Sequence, residues 1–301
     1  MFEQLHSLIG QTVVITGANG AIARAAAKRL RGLGATIIGI ARTDSKEVRD
    51  FYASEEVEGV LYFADVTDTA AIKKIAKEIP QCDILINNAG WTKIIPHHDL
   101  DGMTDDDLDK MLAVNLKSVY TTTREFLPLL RQSNYATIIN ISSASANGAG
   151  YGSNVMYSAT KSAINSLTKD WARALAPKVR VLSISPPLVM DSDFSGWSRE
   201  DKIKRGMKLP LKRGSNTEDI ANAIEAYLTK IRFATGVDVI VDGGSTDSIV
   251  TLKTNDTNCQ INNNILYGKS CGEATISVVK AGNNMYNDIN DTFNITVEKI
   301  K

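Results

Sequence analysis

TVVITGANGAIA, residues 12–23, joins five strand-prone residues to a turn with glycines at 17 and 20, and then to the start of a helix-period run. Glycine lets the backbone turn sharply there and approach a pyrophosphate, which free N–H groups and the positive dipole end of the following helix would hold. Such turns also serve as plain strand-to-helix connections, so the weight lies in the position: first strand, first helix. Outward from it the same alternation continues. Strand-like runs rich in Val and Ile fall at 35–40, 59–64, 83–87, 136–142, 179–185 and 237–241. They are almost continuously apolar, as strands buried on both faces are. Helical stretches fall between them at 21–32, 68–79, 104–132, 155–176 and 217–230. Strand, helix, strand repeated in this way predicts right-handed crossovers and a doubly wound parallel α/β sheet over residues 1–249.

The composition narrows the function. Of 301 residues, 34 are Lys or Arg and 34 are Asp or Glu, so there is no net field to draw nucleic acid. No run of about 18 apolar residues predicts a membrane span. The opening MFEQLHSLIG lacks a basic stretch followed by an apolar core. No signal peptide is therefore expected, and a cytoplasmic location is. Three cysteines (Cys82, Cys259, Cys271) make no disulfide framework.

Two further features point to chemistry. The second strand ends Ile40-Ala41-Arg42, without the acid that holds a ribose 2′-hydroxyl in NAD, and Arg42 suits a 2′-phosphate. NADP(H) is expected over NAD(H), the competing view being that Arg42 is a solvated surface charge. Tyr157-Ser-Ala-Thr-Lys161 sets a phenol and an ammonium on one face of a predicted helix. One such pair arises by chance in a chain with nine tyrosines, so it counts only in company.

That company exists. In order along the chain stand TGANGAIA (16–23), Asp65-Val66, NNAG (87–90), Asn115 within LAVNLKSVY, INISS (139–143), YSATK (157–161), VRVLSISPPLV (179–189) and TGVDVIVDGG (235–244). Over residues 10–248 the chain resembles the short-chain dehydrogenase/reductase family in its short, single-domain branch, and is similar to 3-oxoacyl-carrier-protein reductases. The resemblance implies a Rossmann-type fold and an NAD(P)(H)-dependent oxidoreductase that interconverts a carbonyl and an alcohol. It implies Tyr157 as general acid/base, assisted by Lys161, with Ser143 bonding the substrate oxygen and Ser142 and Ser145 as its rivals. Asn115 would anchor a water in a proton relay to Lys161. Gly17, Asn19, Gly20, Ala21, Ile22, Arg42, Asp65, Val66, Asn88, Ala89, Gly90, Tyr157, Lys161, Pro186 and Val189 would hold the cofactor. A small-molecule substrate and a homodimer or homotetramer are implied; no metal, nucleic acid or membrane partner is.

The chain also departs from the pattern. Ala21 and Ala23 stand where glycines are common, and Gly17, Gly20 and Ala23 match the spacing of the sugar-nucleotide-modifying branch. An epimerase or dehydratase is thus one alternative, and a non-catalytic nucleotide-binding scaffold another. Pro187 replaces a glycine, and Asp191 brings a carboxylate that would disturb nicotinamide placement. Residues 188–210 read as a substrate lid. Phe194 and Trp197 would cover an apolar substrate, and Lys202, Lys204, Arg205 and Lys208 would meet an anionic one, or else form the solvated face of an amphipathic helix. Trp91, His97 and His98 would rim the pocket.

Residues 250–301 hold ten Asn, against eleven in the preceding 249, which marks a compositional break. Within them Ala274, Ile276 and Val278 alternate with polar residues, as do Phe293, Ile295 and Val297. This predicts a few antiparallel strands, a short β-like extension resembling the closing strands of bacterial Ig-like repeats, against the alternative of a disordered tail.

Overall fold

The structure, a computed structural model, describes residues 7–147, 153–193 and 196–244, and the backbone of five strands between 250 and 297. By contacts the chain divides into two compact units, Met1–Gly243 and Gly244–Lys301.

In the first unit, strands β1 (Thr12–Thr16), β2 (Thr36–Ala41), β3 (Val60–Phe63), β4 (Ile84–Asn87), β5 (Ala136–Ile141), β6 (Val179–Ser185) and β7 (Asp238–Ile240) form one parallel sheet. Their order is β3-β2-β1-β4-β5-β6-β7. The helices are α1 (Ala21–Gly32), α2 (Lys46–Ala53), α3 (Thr69–Glu78), α4 (Asp105–Leu112), α5 (Ser118–Leu130), α6 (Val155–Ala174), α7 (Arg199–Gly206) and α8 (Thr217–Thr229). Alternate residues of β1 feed two cores. Val13 and Ile15 pack with Ala26, Leu30, Ile220 and Ile224 of α1 and α8, whereas Val14 packs with Ile72, Phe126 and Leu130 of α3 and α5. Complete burial of a side chain such as Leu30 or Phe126 contributes about 2 kcal/mol. The winding reverses between β1 and β4, and ligands of such sheets bind outside the carboxyl ends of the strands at that point.

The expected helix over 104–132 is interrupted. A capping box between Thr104 and Asp107 starts α4. A π-helical turn then spans Ala113–Lys117 before α5 begins. One residue is squeezed into the ladder, and such bulges favour functional sites. Helix α2 is not among the expected ones, since at eight residues it is too short to display a helical period, whereas α7 falls where an amphipathic helix was the alternative to a substrate lid; serine caps at Ser45 and Ser198 fix their starts.

The second unit is antiparallel throughout its described strands. β8 (Val250–Lys253), β11 (Gly272–Lys280) and β12 (Ile289–Val297) make a sheet in the order β12-β11-β8, and β9 (Cys259–Asn262) pairs with β10 (Ile265–Gly268). Ala274 lies opposite Ile295 and Ile276 opposite Phe293, so the two alternating series fall in register.

Candidate active site

Parallel strands deliver their carboxyl ends to one edge, so the turns after β1, β4, β5 and β6 gather there. The glycine turn comes first. Gly17 has φ +65°, and a Cβ on it would lie 2.9 Å from the Cα of Ala89. The turn is stitched to β4: Thr16 Oγ1 accepts the N–H groups of Asn88 and Ala89 at 3.0 and 3.1 Å. The Asn88 amide donates in return to the carbonyls of Thr16 and Gly17. Gly20 caps α1 without a side-chain hydrogen bond to the helix, and Asn19 is exposed at the tip. Ala21 and Ile22 begin the helix half-buried, and the Ala23 methyl is absorbed in the core. A backbone cradle that a Cβ would fill, at a helix N-terminus with no side-chain cap, fits the pyrophosphate of a dinucleotide.

The end expected to take the adenosine is framed by charge. Arg42 is exposed at the end of β2, and the next acid along, Asp44, is taken by Arg49. Burial pushes the Asp65 carboxyl up, but two hydrogen bonds from Thr67 and the charges of Arg42 and Lys110 outweigh it and hold the group below its usual range. Val66 is buried beside it, and Gly90 is half-buried after Asn88 and Ala89. Lys110, which sequence reasoning passed over, sits 4.2 Å above the Trp91 ring.

Tyr157 and Lys161 occupy the first turns of α6. Asn154 caps that helix by accepting the Tyr157 N–H at 2.6 Å, and its amide ties back to the Lys93 carbonyl at 2.7 Å. Sequence reasoning missed this cap, although an Asn three residues before the tyrosine is a standard start signal. Lys161 is buried, and its Nζ donates to the Ile141 carbonyl at 2.8 Å, at the last residue of β5. Burial pulls its pKa down to about 8. Burial likewise pushes the Tyr157 phenol up to about 12, against a hydrogen bond from Ser143 that pulls it down.

Ser143 begins the short turn after β5. Its oxygen accepts from Ser145 Oγ at 2.9 Å and from the Ser145 N–H at 3.2 Å. Of its rivals, Ser142 instead donates to the Lys161 carbonyl, and Ser145 serves Ser143. Asn115, fully buried in the π turn, receives the Trp91 N–H on Oδ1 at 2.7 Å and gives its amide to the Trp91 carbonyl at 2.8 Å. Its side chain thus holds the strap after β4 and is not directed at Lys161. Buried Pro186 accepts the Ala144 N–H, and Val189 bridges to Ser215.

Two expectations are corrected here. Asp191 is not a free carboxylate: it accepts the N–H and hydroxyl of Thr217 at the start of α8. Lys202 does not face a substrate either. It is buried, with its ammonium on the Met190 and Ser192 carbonyls, because the amphipathic α7 turns it inward against its own loop. Lys204 pairs with Glu200, and Arg205 stacks on Trp197, leaving Lys208 exposed. His97 is half-buried and His98 exposed; Phe194 lies outside the described residues.

A family model described as Enoyl-(Acyl carrier protein) reductase matches residues 17–246. The chain belongs to the short-chain dehydrogenase/reductase family. It is 31% identical to the 3-oxoacyl-[acyl-carrier-protein] reductase FabG of Thermotoga maritima, over 79% of this chain and 98% of that protein. Among solved structures it resembles the 3-ketoacyl-(acyl-carrier-protein) reductase of Brucella melitensis complexed with NADH (TM-score 0.71, 27% identity, 80% of this chain and 100% of that one). A short-chain dehydrogenase/reductase of Serratia marcescens matches with TM-score 0.72 at 27% identity, over 80% of this chain and 100% of that one. This short-chain dehydrogenase/reductase is accordingly a ketoacyl-reductase-like oxidoreductase acting on CH–OH groups with NAD(P). Among the described residues no helix is long and apolar enough to cross a membrane.

Proposed function

We propose that the chain is an NADPH-preferring carbonyl reductase, with 3-oxoacyl thioesters as its representative substrates. The observation that carries this reading is the hydrogen bond from Ser143 to a buried Tyr157 whose ring lies 5.7 Å from the Lys161 ammonium. When bound, the cofactor supplies the hydride and, once oxidised, a positive charge beside the phenol. Tyr157 gives its proton to the substrate oxygen. Ser143 bonds that same oxygen and, after transfer, the phenolate, where a positioned donor is worth about 10²–10³ in rate. Lys161, largely protonated near neutral pH, stabilises the phenolate by its charge and by family position would hold the ribose. Asn115 acts on this reading through the strap it fixes at Trp91, with its water-anchoring role assigned by family position. The glycine turn and residues 88–90 hold the pyrophosphate side, and Asp65 and Val66 the adenine. Arg42, without a competing acid at the strand end, supports the preference for a 2′-phosphate.

The test is oxidation of NADPH with a panel of ketones and 3-oxoacyl thioesters. Turnover with at least one thioester, lost by about 10²–10⁴-fold in Tyr157→Phe with cofactor affinity retained, is expected. Full activity of that variant would defeat the assignment.

We also infer assembly of this chain with itself. An apolar groove of about 820 Å³ runs along α4, α5 and α6, lined by Leu112, Leu116, Tyr120 and Leu167 among others. Leu112, Leu116 and Tyr120 recur every four residues, and two of them are exposed although apolar. Such a stripe is the usual mark of an interface.

A further inference from the structure

We propose that Asp238, on the edge strand β7, is a positioning residue for the reaction, fixing the turn that carries Ser143. The role rests on the reductase reaction proposed above. Its carboxylate gathers four neutral donors and, among the described residues, no cation within ion-pair distance. Oδ1 accepts the hydroxyls of Ser183 and Ser185 at 2.8 and 2.7 Å; Oδ2 accepts the amides of Asn147 and Asn165 at 2.7 and 2.9 Å. An ordinary surface carboxylate faces water or a lysine. This one faces inward across the sheet edge, with Ser183 directly opposite it in the β6–β7 register.

Each donor belongs to an element that bears part of the site. Asn165 stands one helical turn beyond Lys161 on the same side of α6. Its Oδ1 is buried without a partner, so the carboxylate alone dictates which way that amide faces. Ser183 and Ser185 lie on β6 just before Pro186. Asn147 closes the turn that Ser143 opens. That turn is thereby held at both ends, by the Ala144 N–H on the Pro186 carbonyl (2.8 Å) and by Asn147 on Asp238. A third tie joins Ser162 Oγ to the Ala146 carbonyl.

The fixed turn determines how Ser143 is presented. A serine oxygen has two acceptor lone pairs and one proton. The N–H and hydroxyl of Ser145 fill both lone pairs, so the Ser143 proton has only one direction left, toward Tyr157 and the substrate oxygen. Loosening Asn147 lets the turn drift and the donor lose its aim, without touching the cofactor cradle on β1 and β4.

The experiment compares Asp238→Ala, Asn147→Ala and Ser143→Ala, singly and combined, reading kcat and KM for a 3-oxoacyl thioester, NADPH affinity by fluorescence, and thermal midpoint. Asp238→Ala and Asn147→Ala should each lower kcat by about tenfold or more, with NADPH affinity changed less than about twofold. In the Ser143→Ala background neither should lower kcat further by more than about twofold, because the group they aim is gone. Asn147 is exposed, so its variant carries the test should Asp238→Ala fold poorly. Unchanged kcat in Asn147→Ala, or the same loss with and without Ser143, overturns the proposal while leaving the reductase assignment intact. A wild-type chain that reduces no carbonyl overturns both.

Discussion

The Lys161 ammonium lies 5.7 Å from the centre of the Tyr157 ring, one turn along α6, and burial drives the two groups in opposite directions. The phenol is held as the neutral acid, at about 12, while the ammonium is pulled down to about 8 and stays largely charged near neutral pH. Desolvation disfavours whichever form is charged, so both shifts have one cause. On the proposed reaction the phenol gives up its proton to the substrate, and the ammonium lends its charge to the phenolate that remains.

A pH dependence of stability follows from Lys161. Between its folded value of about 8 and its unfolded value near 10.5, the unfolded chain holds a proton that the folded chain has released. Stability therefore rises with pH across that window by up to ~3 kcal/mol, and the penalty is complete below it. Tyr157 acts oppositely and higher, lowering stability from pH 10 towards 12. Thermal midpoints of wild type and Lys161→Met should converge as pH rises from about 8 to 10. Parallel curves would contradict the burial of the ammonium.

Arg42 should set the choice of cofactor. Arg42→Ala removes the guanidinium from the β2 end and leaves the fold alone, since the residue is exposed. A charge-assisted contact to a 2′-phosphate predicts a loss of about 10- to 100-fold in kcat/KM for NADPH, with NADH little changed. Equal losses with both cofactors would show that Arg42 does not read the 2′ position.

Gly17→Ala should damage both stability and cofactor binding. The left-handed backbone alone makes alanine unfavourable there by about 1–2 kcal/mol. The new methyl also meets the Ala89 backbone at 2.9 Å, which cannot move without breaking the bonds to Thr16. A lowered thermal midpoint with NADPH affinity reduced is the expected pattern. A variant that binds NADPH as wild type does would remove the cradle from the site.

Tyr120→Asp probes the groove on α4, α5 and α6. Tyr120 is half exposed, with its ring 6.1 Å from that of Trp171, so the charge should spare the fold but not an apolar interface. Gel filtration should show the variant eluting as a smaller species than wild type. Unchanged elution would place the assembly elsewhere.

What the sequence alone determined was most of the elements of the α/β unit and the order of the motifs. Continuous Val/Ile runs, helical periods and the Gly17–Gly20 turn are products of local backbone sterics and face-to-face burial, so they can be read without the fold. For the same reason the alternation at 274–278 and 293–297 announced a strand pair. Local patterning stops short where the backbone departs from its period: the π turn around Asn115 lies inside a run whose residues continue to suit a helix. It also fails for Lys202 and Asp191, whose contacts are the carbonyls of a loop and the start of another helix. The aim of Ser143 was set by tertiary structure alone. Ser183, Ser185, Asn147, Asn165 and Asp238 span 91 residues of chain, and only the parallel register of β6 and β7, with α6 laid across it, brings four neutral donors to one carboxylate.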